Sequence, residues 1–390
     1  MGIIKLMYPL FPRKIAPELE TLINTFLKES TALSNHLSKD LVFAISEFLV
    51  DINSFYTNAM EGNPSKIKDI EAALNKELLS DRTLRNYQIE HIVHIQVQQE
   101  LLRRLAGEPT LNICSPEFLA WIHRSFYERL PEEMQVALTL GDKKIPVLPG
   151  QFRDRGARVG RHDAPATAAE IERLLADFSA QLNPDGLQGM QKFVGLAASH
   201  HRLLWIHPFR DGNGRVARLF TLAYFVKCGV NPHLWSFSRG LARQRQTFDH
   251  YLDLADQPRA DDLDGRGSLS EKTLEAFCKY FFEISLDQVR YMAGCLELPQ
   301  FQTLYQRYLR ILQAEKKISA GAYAVMCLLI KLGRLPKTDV QRICGVKDRR
   351  ASQLIKQLVA EKLVYDDVAR SALRLRLTSD AAAIVFPGLV

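Results

Sequence analysis

Apolar residues recur at helical spacing along most of this chain, and that period limits its fold more than any other feature. Leu41, Ile45, Phe48, Leu49, Ile52, Phe55, Tyr56, Ala59 and Met60 mark one helical face, which Gly62 and Pro64 can end. "DIEAALNKELL", "NYQIEHIVHIQVQQELLRRLAG", "PEFLAWIHRSFYERL" and "LSEKTLEAFCKYFFEISLDQVRYMAGCL" repeat the pattern. Such a chain buries helix against helix, so the expected class is mainly α. One stretch breaks the period. Residues 141–166 hold Gly, Pro and short β-branched pieces, predicting a long surface loop or hairpin of the kind that often carries function.

A length of 390 residues exceeds one typical core, so two or three domains are expected. The six cysteines (Cys114, Cys228, Cys278, Cys295, Cys327 and Cys344) lack CxxC or paired spacing. That argues against a disulfide framework or a cysteine-rich zinc site and suits a reducing compartment. No stretch approaches the roughly 18 uninterrupted apolar residues of a membrane span. The opening "MGIIKLMYPLFPRK" has no cleavable-leader pattern, and Leu6 stands where a myristoylation signal wants Ser or Thr. A soluble cytoplasmic protein, without membrane contact, is the expectation.

The C-terminal part is written differently. "GAYAVMCLLIKLG", "KTDVQRICGV" and "DRRASQLIKQLVAEKLV" are three short helical units, followed by strand-like "LVYDD" and "LRLRLT". This is the element order of a winged helix-turn-helix. From Lys317 to Val390, thirteen Lys and Arg face six Asp and Glu, so this segment carries the whole formal excess of +7. Lys347, Arg349, Arg350, Gln353 and Lys356 line the third helix, and Arg370, Arg374 and Arg376 mark the ribbon. A basic third helix and wing predict DNA as a partner, with dimerisation or intramolecular packing as the alternative use.

The chemistry concentrates in "HPFRDGNGRVAR", His207 to Arg218, between two helical stretches. Glycines at a helix N-terminus let an anion approach unpaired N–H groups and the positive dipole end. Gly212, Asn213 and Gly214 sit there, with Arg215 and Arg218 aimed at the same region. Asp211 is a hard oxygen ligand of the type Mg²⁺ uses beside nucleotide phosphates. His207 can take a proton near neutral pH. Base, metal ligand and anion cradle together describe nucleotidyl or phosphoryl transfer. The dinucleotide fingerprint formally present at Gly212-x-Gly214-x-x-Ala217 requires a preceding strand, and here a helix precedes. Asp262, Asp264, Gly265 and Glu271 fall on calcium-loop positions, but Ala260 occupies the first ligand position, so a capped turn is expected.

These twelve residues match in full the signature His-x-Phe-x-(Asp/Glu)-Gly-Asn-Gly-Arg-x-x-Arg, and the chain resembles the Fic (filamentation induced by cAMP) family. "HHRLLWIHPFRDGNGRVARLF", "LWSFSRGLARQ" and "LDGRGSLSE" are similar to the larger bacterial members with a C-terminal winged helix. The likeness runs from about Leu41 to about Thr378. It implies a Fic-type helical core with a short β-hairpin flap, preceded by an inhibitory helical region. Expected boundaries are 1–110 for the N-terminal helical region, 111–300 for the catalytic core and 301–390 for the winged helix-turn-helix.

The resemblance implies transfer of AMP from ATP to a Ser, Thr or Tyr hydroxyl of a target protein. It makes His207 the base, Phe209 the loop's anchor and Asp211 the Mg²⁺ ligand. Gly212, Asn213, Gly214 and Arg215 become the phosphate cradle, and Arg218 the partner of the γ-phosphate. "TNAMEG" is similar to the family's inhibitory pattern, with Thr57, Glu61 and Gly62 in place. Glu61 would then occupy the guanidinium fork of Arg218 that the γ-phosphate needs. "RVGRHDAP" resembles the flap, whose edge would take the target by strand pairing through Val159, Gly160, Arg161 and His162. Trp235, Ser238, Arg239 and Arg243 are weaker candidates near the nucleotide, with core packing as the alternative. Expected partners are ATP, a target protein, DNA and a second copy in a homodimer, with self-modification among the products. Two other readings stand beside this one. The same site could remove AMP, with Glu61 placing a water, or a DNA-binding regulator could use the core to sense nucleotide. The intact His207 argues against a pure sensor.

Overall fold

Helix follows helix down the chain, as the apolar period predicts. The computed structural model describes residues 7–138, 144–160 and 162–390. Among these, sixteen α-helices stand against seven strands of two to four residues. The N-terminal run is α1 (Pro17–Ala32), α2 (Lys39–Met60), α3 (Ile67–Leu74), α4 (Arg82–Gly107) and α5 (Pro116–Tyr127). Side-chain caps set several starts. The Ser38 hydroxyl accepts from Leu41 N at 3.1 Å to begin α2, and the Ser115 hydroxyl accepts from Phe118 N at 3.1 Å to begin α5, with Pro116 next.

The Gly- and Pro-rich stretch supplies two small antiparallel hairpins. One pairs β1 (Val136–Leu138) with β2 (Lys144–Pro146), and the other pairs β3 (Arg158–Val159) with β4 (His162–Asp163). Then follow α6 (Ala168–Leu182), α7 (Met190–Ile206), α8 (Asn213–Lys227), α9 (Phe237–Arg243), α10 (Arg245–Ala255) and α11 (Glu271–Cys295). From Val194 to Leu203 every residue of α7 is buried, and α8 is nearly so, which makes this pair the centre of the core. Whatever loop joins them is therefore held from both sides.

The first forty residues carry no reading from sequence beyond their helical composition, yet they complete that core. Phe26 on α1 lies against Phe225, Trp235 and Phe282 at ring-centroid distances of 5.5–5.9 Å. The guanidinium of buried Arg202 on α7 donates twice to the Pro9 carbonyl, at 2.7 and 3.1 Å, tying the leading segment down.

The last portion comprises α12 (Leu298–Ala314), α13 (Ala320–Leu332), β5 (Arg334–Pro336), α14 (Lys337–Cys344), α15 (Asp348–Ala360), β6 (Val364–Asp367), β7 (Ala372–Leu375) and α16 (Ser379–Val385). Its sheet has the order β5-β7-β6, all antiparallel. The first strand was not legible in sequence, because "RLP" is too short to show a period. This portion grips α2 along its length. The Ser38 hydroxyl donates to Leu332 O at 2.7 Å, Arg374 pairs with Glu47 at 3.6 Å, and the Tyr56 hydroxyl donates to Leu389 O at 3.0 Å. No helix of the described residues is long and apolar enough to cross a membrane.

Because Phe26 is fully buried among three aromatic rings, Phe26→Ala should lower unfolding stability by about 3–5 kcal/mol. Urea denaturation of the full chain reads this. A loss below about 1 kcal/mol would mean that α1 is not integral to the core.

Candidate active site

The loop between α7 and α8 reverses the chain through two left-handed residues. His207 closes α7 with φ 48°, and Gly212 opens α8 with φ 77°. Glycine is needed at 212 for a second reason, since a Cβ there would lie 2.8 Å from the Tyr127 ring. A left-handed histidine is uncommon and holds only where its surroundings over-determine it. Phe209 is wholly buried and stacks on His123 with centroids 4.1 Å apart and planes 6° off parallel. Asn213 ties the loop to itself: its Oδ1 accepts from Phe209 N at 2.9 Å and its Nδ2 donates to Phe209 O at 2.8 Å.

Helix α5 braces Asp211 from below. The Tyr127 hydroxyl donates to Asp211 Oδ2 at 2.8 Å. His123 Nδ1 accepts from Gly150 N at 2.9 Å, so the ring proton sits on Nε2 and is donated to Asp211 O at 3.2 Å. Burial above all, helped by the charge of Arg215, pushes His123 down to about 3, which keeps that tautomer neutral. One oxygen of Asp211 is thus fixed, and the residue is half-buried.

At the N-terminus of α8 the first-turn N–H groups have no partner within the helix. The bare Cα of Gly214 lies against the Glu61 carboxylate, where a Cβ would come within 2.5 Å of Oε1. Glu61 caps α2 and accepts from Arg218 Nη2. Arg218 also donates through Nε to the Thr57 hydroxyl and through Nη2 to Thr57 O at 3.1 Å. Nε and Nη2 of the fork are therefore both taken by α2. Burial alone would push the Glu61 carboxyl up, but the charges of Arg218 and Arg215 and the Arg218 hydrogen bond outweigh it and lower it. Arg245 donates to Met60 O at 2.7 Å, fastening the same helix end. Arg215 turns the other way, to Glu90 on α4 at 3.3 Å and over the Phe126 ring at 5.0 Å.

A cleft of about 460 Å³ opens beside these groups, lined among others by Glu61, Val159, His162, Trp205, His207 and Arg218. His207 reaches it half-buried, and burial, then the Arg153 charge, bring its imidazole down to about 4. The ring is neutral at neutral pH and so free to accept a proton.

The structure brings His207, Asp211, Gly212, Asn213, Gly214, Arg215, Arg218 and Glu61 together around one helix end. The Asn213 side chain is spent on the loop, so only its backbone faces an anion. On the flap, Val159 is half-exposed and Gly160 exposed, while His162 turns inward, stacking on Trp205 and donating to Trp205 O at 3.1 Å. Arg161 lies outside the described residues. Trp235 belongs to the aromatic core, and Arg239 donates to Gly388 O and Gln288, away from the cleft. Asp264 forms a capped turn, accepting from Ala260 N, Lys272 N and Ser270 at 2.9–3.0 Å. Lys347, which precedes α15, and Arg349, Arg350, Gln353 and Lys356 on it are exposed, and none of them lines the cleft. Two of the ribbon arginines are not free. Arg374 turns in to Glu47 and over Phe43, and Arg376 to Asn75.

Sequence reading missed four supports: His123, Tyr127, Glu90 and Arg153. The first three act from helices that show only an apolar period, and their contacts join distant parts of the chain. Arg153 sits in the stretch marked as functional, but nothing in "QFRDR" says that it grips carbonyls.

Residues 113–225 match the model of the Fic/DOC family. Curated relatives named protein adenylyltransferase Fic include those of Drosophila ananassae, 31% identical over 112 residues, and Drosophila grimshawi, 27% identical over 143. These alignments cover 29% and 36% of this chain but only 21% and 28% of the relatives, so the chain spans about a quarter of their length. Among solved structures, a Fic family protein from Desulfovibrio desulfuricans G20 aligns over 94% of this chain and 98% of its own, with a TM-score of 0.53 at 16% identity. A Fic domain containing signaling protein from Bacteroides thetaiotaomicron aligns over 70% and 96%, with a TM-score of 0.51 at 14% identity. Those two likenesses extend the shared fold past the matched segment. The full signature lies inside the matched segment, so the chain carries a Fic/DOC family domain over residues 113–225, set in a helical architecture that those structures share.

Proposed function

We propose that the protein is an auto-inhibited protein adenylyltransferase that moves AMP from ATP to a hydroxyl of a target protein. The observation that carries this is the seating of Glu61 on Arg218 at the mouth of a helix N-terminus. A carboxylate already fills the place that an anion would take, and ATP brings the competing anion. The N–H groups at the start of α8 receive phosphate oxygens, and Arg218 receives the γ-phosphate once Glu61 has left. His207 takes the proton from the target hydroxyl as its oxygen bonds to the α-phosphorus. The bond from that phosphorus to the β-phosphate oxygen breaks, and pyrophosphate leaves. Positioning dominates such a transfer, because little covalent work falls to the protein.

Asp211 fits a Mg²⁺ ligand. It is a lone carboxylate with one oxygen fixed by Tyr127, and no group of three His, Cys, Asp or Glu that could hold a metal occurs among the described residues. Mg²⁺ suits such a setting, as it takes one or two carboxylates and completes its shell with phosphate and water. When bound it would neutralise phosphate charge. The extended edge beside Val159 and Gly160 is the docking strand for the target segment. Residues 301–390 form a winged helix-turn-helix unit in this reading, 111–300 the catalytic core and 1–110 the region carrying the brake.

Glu61→Gly should raise transfer of labelled AMP, self-modification included, by about tenfold or more if the lid is worth at least ~1.4 kcal/mol. Adding Arg218→Ala should abolish the gain, since brake and γ-phosphate compete for one guanidinium. Equal rates for wild type and Glu61→Gly would end the inhibitory reading. His207→Ala in the Glu61→Gly chain should remove transfer while leaving ATP affinity within about twofold, because the phosphate contacts belong to α8. Undiminished transfer would discard His207 as the base.

The exposed basic face of α15 supports DNA as a ligand of the C-terminal unit. Binding of the full chain to duplex DNA should weaken steeply with salt, log K falling by about 0.9 per phosphate contact for each tenfold rise. Absence of any shift at low salt would leave this unit as a packing module.

A further inference from the structure

The C-terminal end of α7 must place four carbonyls that no helical turn follows. One buried side chain takes two of them. Arg153, 3% exposed, stands at the base of the flap. Its Nε donates to His207 O at 2.6 Å and its Nη2 to Ile206 O at 3.1 Å, while its own backbone N donates to Pro208 O at 2.9 Å. Its Nη1 donates to Arg155 O on the outgoing limb of the flap and to Pro165 O on the returning limb. All its acceptors are neutral carbonyls, and no carboxylate pairs with it among the described residues. The guanidinium makes no ion pair among these residues and is held by the negative end of the α7 dipole and by fixed carbonyl dipoles, with the charge of Glu170 acting from further off.

We propose that Arg153 is a positioning residue that sets the flap's docking edge in register with the imidazole of His207. This rests on the adenylyltransferase reading of the site. Arg153 touches no reacting atom. It holds the His207 backbone in its left-handed turn from one side and both flap limbs from the other, so one planar fork fixes the distance between target strand and base. His162 adds a second tie from the flap to the same helix end, through Trp205 O. The charge of Arg153 reaches the imidazole as well. The groups acting on His207 besides burial are Arg153 and His162, which lower its affinity for a proton, and the Leu204 backbone and Asp211, which raise it.

The test uses the full chain carrying Glu61→Gly, with Arg153→Lys and Arg153→Met added in turn. Lysine keeps the charge and loses the fork, whereas methionine loses both. Both should bind ATP within about twofold of the parent, because the cradle on α8 is untouched, and both should lose about tenfold or more in kcat for protein modification. The His207 imidazole, followed by NMR in histidine-labelled protein, should titrate about half a pH unit or more higher in Arg153→Met and stay low in Arg153→Lys. Measurements are made at temperatures where circular dichroism shows each variant folded, and lysine serves if methionine does not fold. Folded variants with unchanged kcat and an unmoved His207 titration would overturn the proposal. So would a loss of kcat matched by an equal loss of ATP affinity. If the Glu61→Gly parent transfers no AMP, the adenylyltransferase reading fails by itself. The His207 titration then still decides whether Arg153 governs that imidazole.

Discussion

The guanidinium of Arg218 is buried in the middle of the protein and cannot shed its proton. A charge in that position must always be matched. Everything around the helix N-terminus follows from what matches it. In this structure the partner is α2, which supplies a hydroxyl, a backbone carbonyl and a carboxylate from Thr57 and Glu61. An anion arriving from solvent cannot simply add to this set, because the space beside Gly214 is already filled by carboxylate oxygen. It has to replace Glu61. A buried charge of this kind tolerates an exchange of partners but not their loss.

The loop beneath this contact is stiff. Phe209 is clamped by the His123 ring, Asn213 bonds both backbone groups of Phe209, and Tyr127 and His123 fix Asp211 at side chain and carbonyl. None of these contacts involves Glu61. The loop that carries His207 and Asp211 is therefore fixed independently of the contact between Glu61 and Arg218. Arg245, donating to the Met60 carbonyl, is a further fastening of the end of α2.

How far the sequence could be read tracks how local each interaction is. The apolar period reveals α2, α4, α5 and α11 because packing repeats every turn. The twelve-residue signature is legible because base, carboxylate, glycines and arginines occur in one contiguous run. Glu61 could be paired with Arg218 only through family likeness, since nothing in "TNAMEG" says which guanidinium it meets. Arg153, Glu90 and Tyr127 stayed hidden for a physical reason. Their partners are carbonyls or charges brought near by tertiary folding, and a side chain that serves a distant backbone leaves no periodic trace. The strand β5 was lost because three residues cannot show an alternation.

Net charge shows the same limit from the other side. The excess of positive charge after Lys317 reads in sequence as one basic surface, helix and wing together. In the fold it divides. Arg374 faces Glu47 and Asp367, Arg376 faces Asn75, Lys362 faces Glu77, and Lys337 pairs with Asp366. Those cations are occupied in holding the sheet together and in fastening it to α2 and α3. The charge left to act on a distant polyanion is concentrated on α15, where Lys347, Arg349, Arg350 and Lys356 stand exposed with few acids near them. On the ribbon, Arg370 is the remaining exposed arginine. Arg374 reaches instead to Glu47 on α2, the helix that ends at Glu61, and Arg376 to Asn75 at the end of α3. The C-terminal portion is therefore joined to these helices by charges that its composition suggested were meant for a partner.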